Sequence, residues 1–235
     1  MLAAGCVVDA RAEDYAPSRK REEREWVQLT EQFAKEYGAK QFDEAARRAE
    51  DSLQLAERAV GPDHPNVAVS LSNLAMALEA TGDYSRLEPL LTRALSIRER
   101  TLGPTHPDVG KSLTNLGRLK HFLHRYAEAE PLYLRALAVQ EAADPVNEIT
   151  VANVLHDLAV FYRDQQQYEK AGQYLKRELE IWERRFGTEH PLELPILDLY
   201  AEILKRTGNP RKAEALESQV ERIREKRDAT YVKPK

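Results

Sequence analysis

The 235-residue sequence contains a single cysteine, Cys6. No intramolecular disulfide can form, and a cysteine-rich zinc site is excluded. Glycine numbers only 10, which disfavours glycine-rich phosphate loops and turn-dense all-β folds. No apolar run approaches the ~18 residues of a membrane span. Neither sign of charge dominates, since 35 Lys+Arg stand against 39 Asp+Glu for a formal net charge of −4. Electrostatic nucleic-acid binders normally carry a basic excess, so nucleic acid is not an expected partner. Charge of both signs is abundant at 31% of residues, on a chain that is 42% hydrophobic. That composition belongs to a folded, largely helical chain rather than to a disordered one.

The chain repeats itself. Gly61-Pro62-Asp63-His64-Pro65 returns 42 residues later as Gly103-Pro104-Thr105-His106-Pro107 and two periods further on as Gly187-Thr188-Glu189-His190-Pro191. The intermediate copy, due at 145–149, has decayed, but the register survives it. Phe42, Tyr84, Tyr126 and Tyr168 form one column, and Ala45, Leu87, Ala129, Ala171 and Ala213 lie three residues after it. Leu53, Leu95, Leu137 and Leu179 form another. Five units result, 19–60, 61–102, 103–144, 145–186 and 187–228, preceded by a lead-in or signal remnant (1–18) and followed by a tail (229–235).

Each unit carries two apolar stripes at helical spacing. In the second unit these are Val67, Leu71, Leu74, Ala75 and Leu78, then Leu87, Leu91, Ala94, Leu95 and Ile97, with Gly82-Asp83 between them. Pro65 suits a first helical turn, where its missing N–H costs nothing. Asp63 and Thr105 are the expected N-caps. Small residues recur at 75, 117, 159 and 201 and at 94 and 136, where helices must approach closely; Glu178 interrupts the latter column. No segment alternates with period two, so no sheet is expected. A hairpin of this length cannot bury its apolar face alone, whereas five stacked in register can.

The small residue after a leucine in the first helix, the aromatic that opens the second and the alanine three on together resemble the tetratricopeptide repeat. The 42-residue period with its G-P-x-H-P linker is similar to the longer variety in kinesin light chains and many bacterial repeat proteins. The resemblance covers 61–228 well and the first unit more weakly. It implies an all-α, right-handed superhelical solenoid of about five antiparallel helix hairpins. It also implies a non-catalytic scaffold that binds a peptide or partner protein in the concave groove lined by first helices. Self-assembly, or service as an accessory subunit of an enzyme complex, are the alternatives.

Carried over position by position, the resemblance points to Asn73, Lys111, Asn115, Arg118, His121, Asn153, His156, Asp157 and Arg163 as groove residues. Asn73 and Asn115 can each offer an extended peptide a donor and an acceptor. Lys111, Arg118, His121 and Arg163 would concentrate positive charge, favouring an acidic segment through charge-assisted hydrogen bonds. His64, His106 and His190 fall at one place in the repeat, too far apart to share a metal, and read as linker residues. His121 and His124, three apart, could face one way on a helix, yet two ligands fall short of the usual zinc set. No phosphate loop, dinucleotide fingerprint or nucleophile elbow occurs. No catalytic residue, metal or cofactor is therefore expected. Trp26 is expected to cap the first hairpin, and Trp182, outside any apolar column, to be partly exposed.

Met1-Leu2-Ala3-Ala4-Gly5-Cys6 resembles the end of a bacterial lipoprotein signal, with Cys6 as the lipidated residue. Ala10-Arg11-Ala12 resembles an A-x-A cleavage site. Only five residues precede Cys6, too few for the basic and apolar regions of a signal. The expectation is thus that the true start lies upstream and the protein is exported, periplasmic or lipid-anchored in the envelope, with a cytoplasmic protein as the alternative. Residues 13–25 read as a polar lead-in, and 211–228 as a charged, solvent-facing helix.

Overall fold

The computed structural model describes residues 11–231; Cys6 and the residues around it lie outside them. Ten α-helices follow one another: α1 (Arg11–Gly38), α2 (Phe42–Val60), α3 (Pro65–Thr81), α4 (Leu87–Leu102), α5 (Pro107–Phe122), α6 (Tyr126–Glu141), α7 (Glu148–Asp164), α8 (Tyr168–Phe186), α9 (Leu194–Arg206) and α10 (Pro210–Tyr231). Among the described residues there is no strand, and no helix is long and apolar enough to cross a membrane. The helices pair as five hairpins, as the repeat predicts. The first two fall in one compact unit ending at Pro104, and the other three in a second that begins at Thr105.

Two boundaries differ from the sequence reading. Helix α1 begins at Arg11, so the polar stretch 13–25 is part of the first helix rather than a lead-in to it. Its Glu, Arg and Lys residues are good helix formers even without an apolar face. Helix α10 likewise runs on to Tyr231, three residues into the expected tail.

The repeat columns become the core. Ala45, Ala129, Ala171 and Ala213, one turn into α2, α6, α8 and α10, are fully buried, and Leu87, the first residue of α4, nearly so. Phe42, Tyr126 and Tyr168 open α2, α6 and α8, while Tyr84 opens a short 3-10 turn ahead of α4. In unit 1, α3 packs on both α2 and α4. Val67, Ala68 and Leu71 meet Ala56, Ala94 and Ile97, with Trp26 laid against the same cluster and its indole N–H donating to Ser70 Oγ at 2.9 Å. In unit 2, α5 packs on α6, α7 on α8, and α9 on α10.

The caps correct the sequence reading. Helices α3 and α5 are capped by His64 and His106 rather than by Asp63 and Thr105. Each imidazole Nδ1 accepts the N–H two residues on, from Asn66 at 3.2 Å and from Asp108 at 3.1 Å. His190 does the same for Leu192 N at 3.3 Å. An imidazole nitrogen can satisfy an orphan N–H as a carboxylate does, and the following proline occupies N1, where no donor is lost. Asp63 instead pairs with Arg100 at 2.6 Å. The linker glycines Gly61, Gly103 and Gly187 all have φ between 81° and 88°, a region open to glycine at little cost. Where the fourth linker has decayed, Asn147 takes over, its Oδ1 accepting from Ile149 N and Thr150 N. His106→Ala should therefore cost about 1 kcal/mol, and His106→Asn, which keeps a capping acceptor, much less. Chemical denaturation of the two variants checks this.

Candidate functional site

The site lies in unit 2, where the ends of α5 and α7 lie beside the start of α6. Helix α5 stops at Phe122, and His124 adopts φ +56° to turn the chain. His121 and His124 are therefore not partners on one helix face, as their spacing suggested. The turn nevertheless brings both to one open recess of about 480 Å³. Its apolar wall is made by Phe122, Tyr126, Tyr133 and Val160, and its polar side by Arg118, His156, Asp157 and Asp164. Phe122, 54% exposed, is the most exposed of the large hydrophobic side chains among the described residues.

A buried aromatic group holds this geometry. Phe161 is fully buried, with ring centroids 5.3 Å from His121, 5.6 Å from Tyr133, 6.0 Å from Tyr126 and 5.2 Å from Tyr162. All four contacts are edge-on, the favoured arrangement for aromatic pairs. Burial pushes the Tyr133 hydroxyl well above the ordinary phenol range, so it stays protonated. On the outer rim, His124 Nδ1 lies 2.8 Å from the Tyr126 hydroxyl.

The charged groups are paired internally. Arg118 Nε donates to Asp157 Oδ2 at 2.8 Å. His121 Nε2 lies 3.1 Å from Asp164 Oδ2, and Arg163 grips the other oxygen of the same carboxylate at 2.7 Å. His156 Nδ1 meets Glu178 Oε2 at 3.1 Å. Burial raises Asp157 above the usual carboxylate range, even though Arg118 opposes it. Glu178 is raised by burial too, and its hydrogen bond in turn raises His156. The Trp182 indole N–H sits near enough to favour the charged Glu178 carboxylate but outside hydrogen-bond geometry, and is buried without a partner. Trp182 itself is half-buried and stacked on Phe186 at 5.3 Å.

Of the nine groove residues expected from the sequence, four line the recess directly: Arg118, His121, His156 and Asp157. Arg163 reaches it through Asp164. Asn115 is half-buried on α5 and Asn153 exposed on α7. Lys111 is exposed at the start of α5 and bound to Asp108 at 2.8 Å. Asn73 is half-buried on α3, in unit 1. The expected block of positive charge is a balanced network instead, because Asp108, Asp157 and Asp164 stand beside its cations. Sequence reasoning missed Phe122, Tyr126, Tyr133, Val160 and Asp164 as lining residues. Glu178 was visible as an anomaly in a small-residue column, and the structure shows its cause: a buried carboxylate facing His156. Among the described residues, no group of three or more His, Cys, Asp or Glu side chains is placed to hold a metal ion.

A family model described as tetratricopeptide repeat matches residues 36–86, 87–142 and 150–226. A search of curated proteins finds no match. Several solved structures share the fold. The BtubC (BKLC) protein from P. vanneervenii superposes with a TM-score of 0.78 at 19% identity, covering 98% of this chain and 96% of that one. Kinesin light chain nearly identical TPR-like repeats from Podosopora anserina give 0.73 at 24% identity, over 86% and 95%. MamA from Desulfovibrio magneticus RS-1 gives 0.62 at 17% identity, over 86% and 97%.

Proposed function

The chain belongs to the tetratricopeptide repeat family, and from that premise we propose that it docks a segment of a partner protein in the unit 2 recess. The family indicates a protein-interaction scaffold, and its fold is generally non-catalytic. The observation that supports the recess is its mixed wall. An exposed Phe122 and the Tyr126 ring offer apolar area, while Arg118 and His121 stand within the same opening. Aromatic anchors with an arginine beside them are the composition of interface hot spots. An amphipathic segment would lay an apolar side chain on the aromatic wall. An acidic residue next to it would compete with Asp157 and Asp164 for the cations.

The test is selection of 12-residue peptides from a random displayed library against the full chain. Selected peptides should carry an aromatic or aliphatic residue near an acidic one. Phe122→Ala and Arg118→Ala should each weaken them at least about fivefold, since truncating an anchor costs more than about 1 kcal/mol. Peptides that bind both variants as well as the parent would overturn the assignment.

A further inference from the structure

The six histidines of the chain divide into two sets. His64, His106 and His190 are helix caps, each with Nδ1 committed to a backbone N–H. The other three, His121, His124 and His156, all line the one recess. Nothing in the repeat demands this. Position 121 is Glu79, Arg163 and Lys205 in neighbouring units, and position 156 is Ser72, Thr114 and Asp198.

The charges that face these imidazoles can be followed element by element. Helix α5 and its turn contribute Arg118 besides His121 and His124, and α6 contributes the neutral Tyr126 and Tyr133 hydroxyls. Helix α7 brings Asp157, Arg163 and Asp164 along with His156, and α8 brings Glu178. Two arginines stand against two aspartates, and His156 stands against Glu178. Imidazoles as a class change charge between about pH 5 and 8. Every titrating group in this set moves the recess the same way on acidification, because imidazoles gain charge and carboxylates lose it. The arginines stay fixed.

We propose that the recess is a proton-gated docking point, which takes a carboxylate-bearing partner segment more tightly on the mildly acidic side of neutrality. The gate rests on the docking reading given above and adds its regulation. At higher pH Asp157 and Asp164 hold the two arginines. On acidification imidazoles gain charge, so a recess that gathers three of them beside Arg118 offers an incoming carboxylate a more positive surface. Phe122 and Val160 carry no ionisable group, so their apolar contact is the same in both states.

Fluorescence anisotropy on the full chain tests the gate. The probe is a rhodamine-labelled octapeptide of alternating Glu and Phe, compared with its Gln-Phe counterpart at pH 7.5 and 5.5. The Glu-Phe peptide should bind about tenfold more tightly at pH 5.5, the factor that about 1.4 kcal/mol of added attraction gives. The Gln-Phe peptide should change less than about twofold. In the triple variant His121→Gln/His124→Gln/His156→Gln the rise should vanish. His121→Gln/His124→Gln, which leaves the buried His156–Glu178 pair intact, should already lose most of it. Glu-Phe binding that is equal at both pH values, or a rise that persists in both variants, overturns the gate and leaves the docking reading standing. Failure of both peptides to bind at either pH overturns both.

Discussion

Phe161→Ala is expected to lower the unfolding free energy by about 3–5 kcal/mol, the range for truncating a large buried aromatic. Phe161 has no exposed surface, and its neighbours cannot collapse into the gap without losing one another. His121, Tyr126, Tyr133 and Tyr162 all meet this ring. His121 lines the recess from α5, and Tyr126 and Tyr133 line it from α6, so the loss is double. Stability falls, and the histidine and tyrosine that shape the docking point lose their common support. Phe161→Leu keeps most of the volume and should cost less than half as much. Urea denaturation of the two variants measures the difference. A loss of under 1 kcal/mol for the alanine variant would mean that the aromatic group is not the unit 2 keystone described above.

Gly117→Val should cost about 1–3 kcal/mol, the usual price of overpacking a well-filled site. A Cβ at position 117 would come within 3.0 Å of two Tyr133 ring atoms, and Tyr133 is only 1% exposed, so the ring has nowhere to go. The repeat itself carries the control. Where the first helix has Ala75 or Ala159, the position equivalent to Tyr133 holds Leu91 or Leu175, and all four residues are buried. Glycine with tyrosine and alanine with leucine are two solutions to one volume constraint. Adding Tyr133→Leu to Gly117→Val should therefore recover part of the loss, and a double-mutant cycle gives the coupling directly. Strictly additive effects would show that the two positions do not compete for the same space.

Much of the fold was legible because the 42-residue period exposes every column several times. Ala45, Ala129, Ala171 and Ala213 could be placed in the core from sequence alone, and the structure buries all four completely. Capping was less legible. Propensity favours Asp63 and Thr105, but the choice depends on which side-chain acceptor reaches the N–H two residues on, and that distance is set by the turn, not by residue type. The recess was the least legible part, for two reasons. First, its wall draws on Phe122 and His124, which sit where α5 ends, and a helix end is a geometric fact rather than a periodic one. Second, the cations were read without their partners. Arg118 meets Asp157 and His121 meets Asp164 across 39 and 43 residues. Those offsets lie close to one period, so the repeat that revealed the hairpins also held the pairing, since residues about one period apart sit on adjacent first helices. Glu178 followed the same logic. As a lone entry in a small-residue column it looked like a defect, and its partner His156 became visible only when α7 and α8 were placed together.

The central claim is that a partner engages the first-helix face of unit 2. The most direct measurement is site-specific photo-crosslinking, with p-benzoylphenylalanine placed at Phe122 in one sample and at the exposed second-helix residue Lys176 in another. Each full-length protein is irradiated with peptides selected against the unmodified chain. Crosslinks from position 122 and none from 176 are the predicted result. Crosslinks from 176 with none from 122 would place the interaction on a second helix and contradict the account.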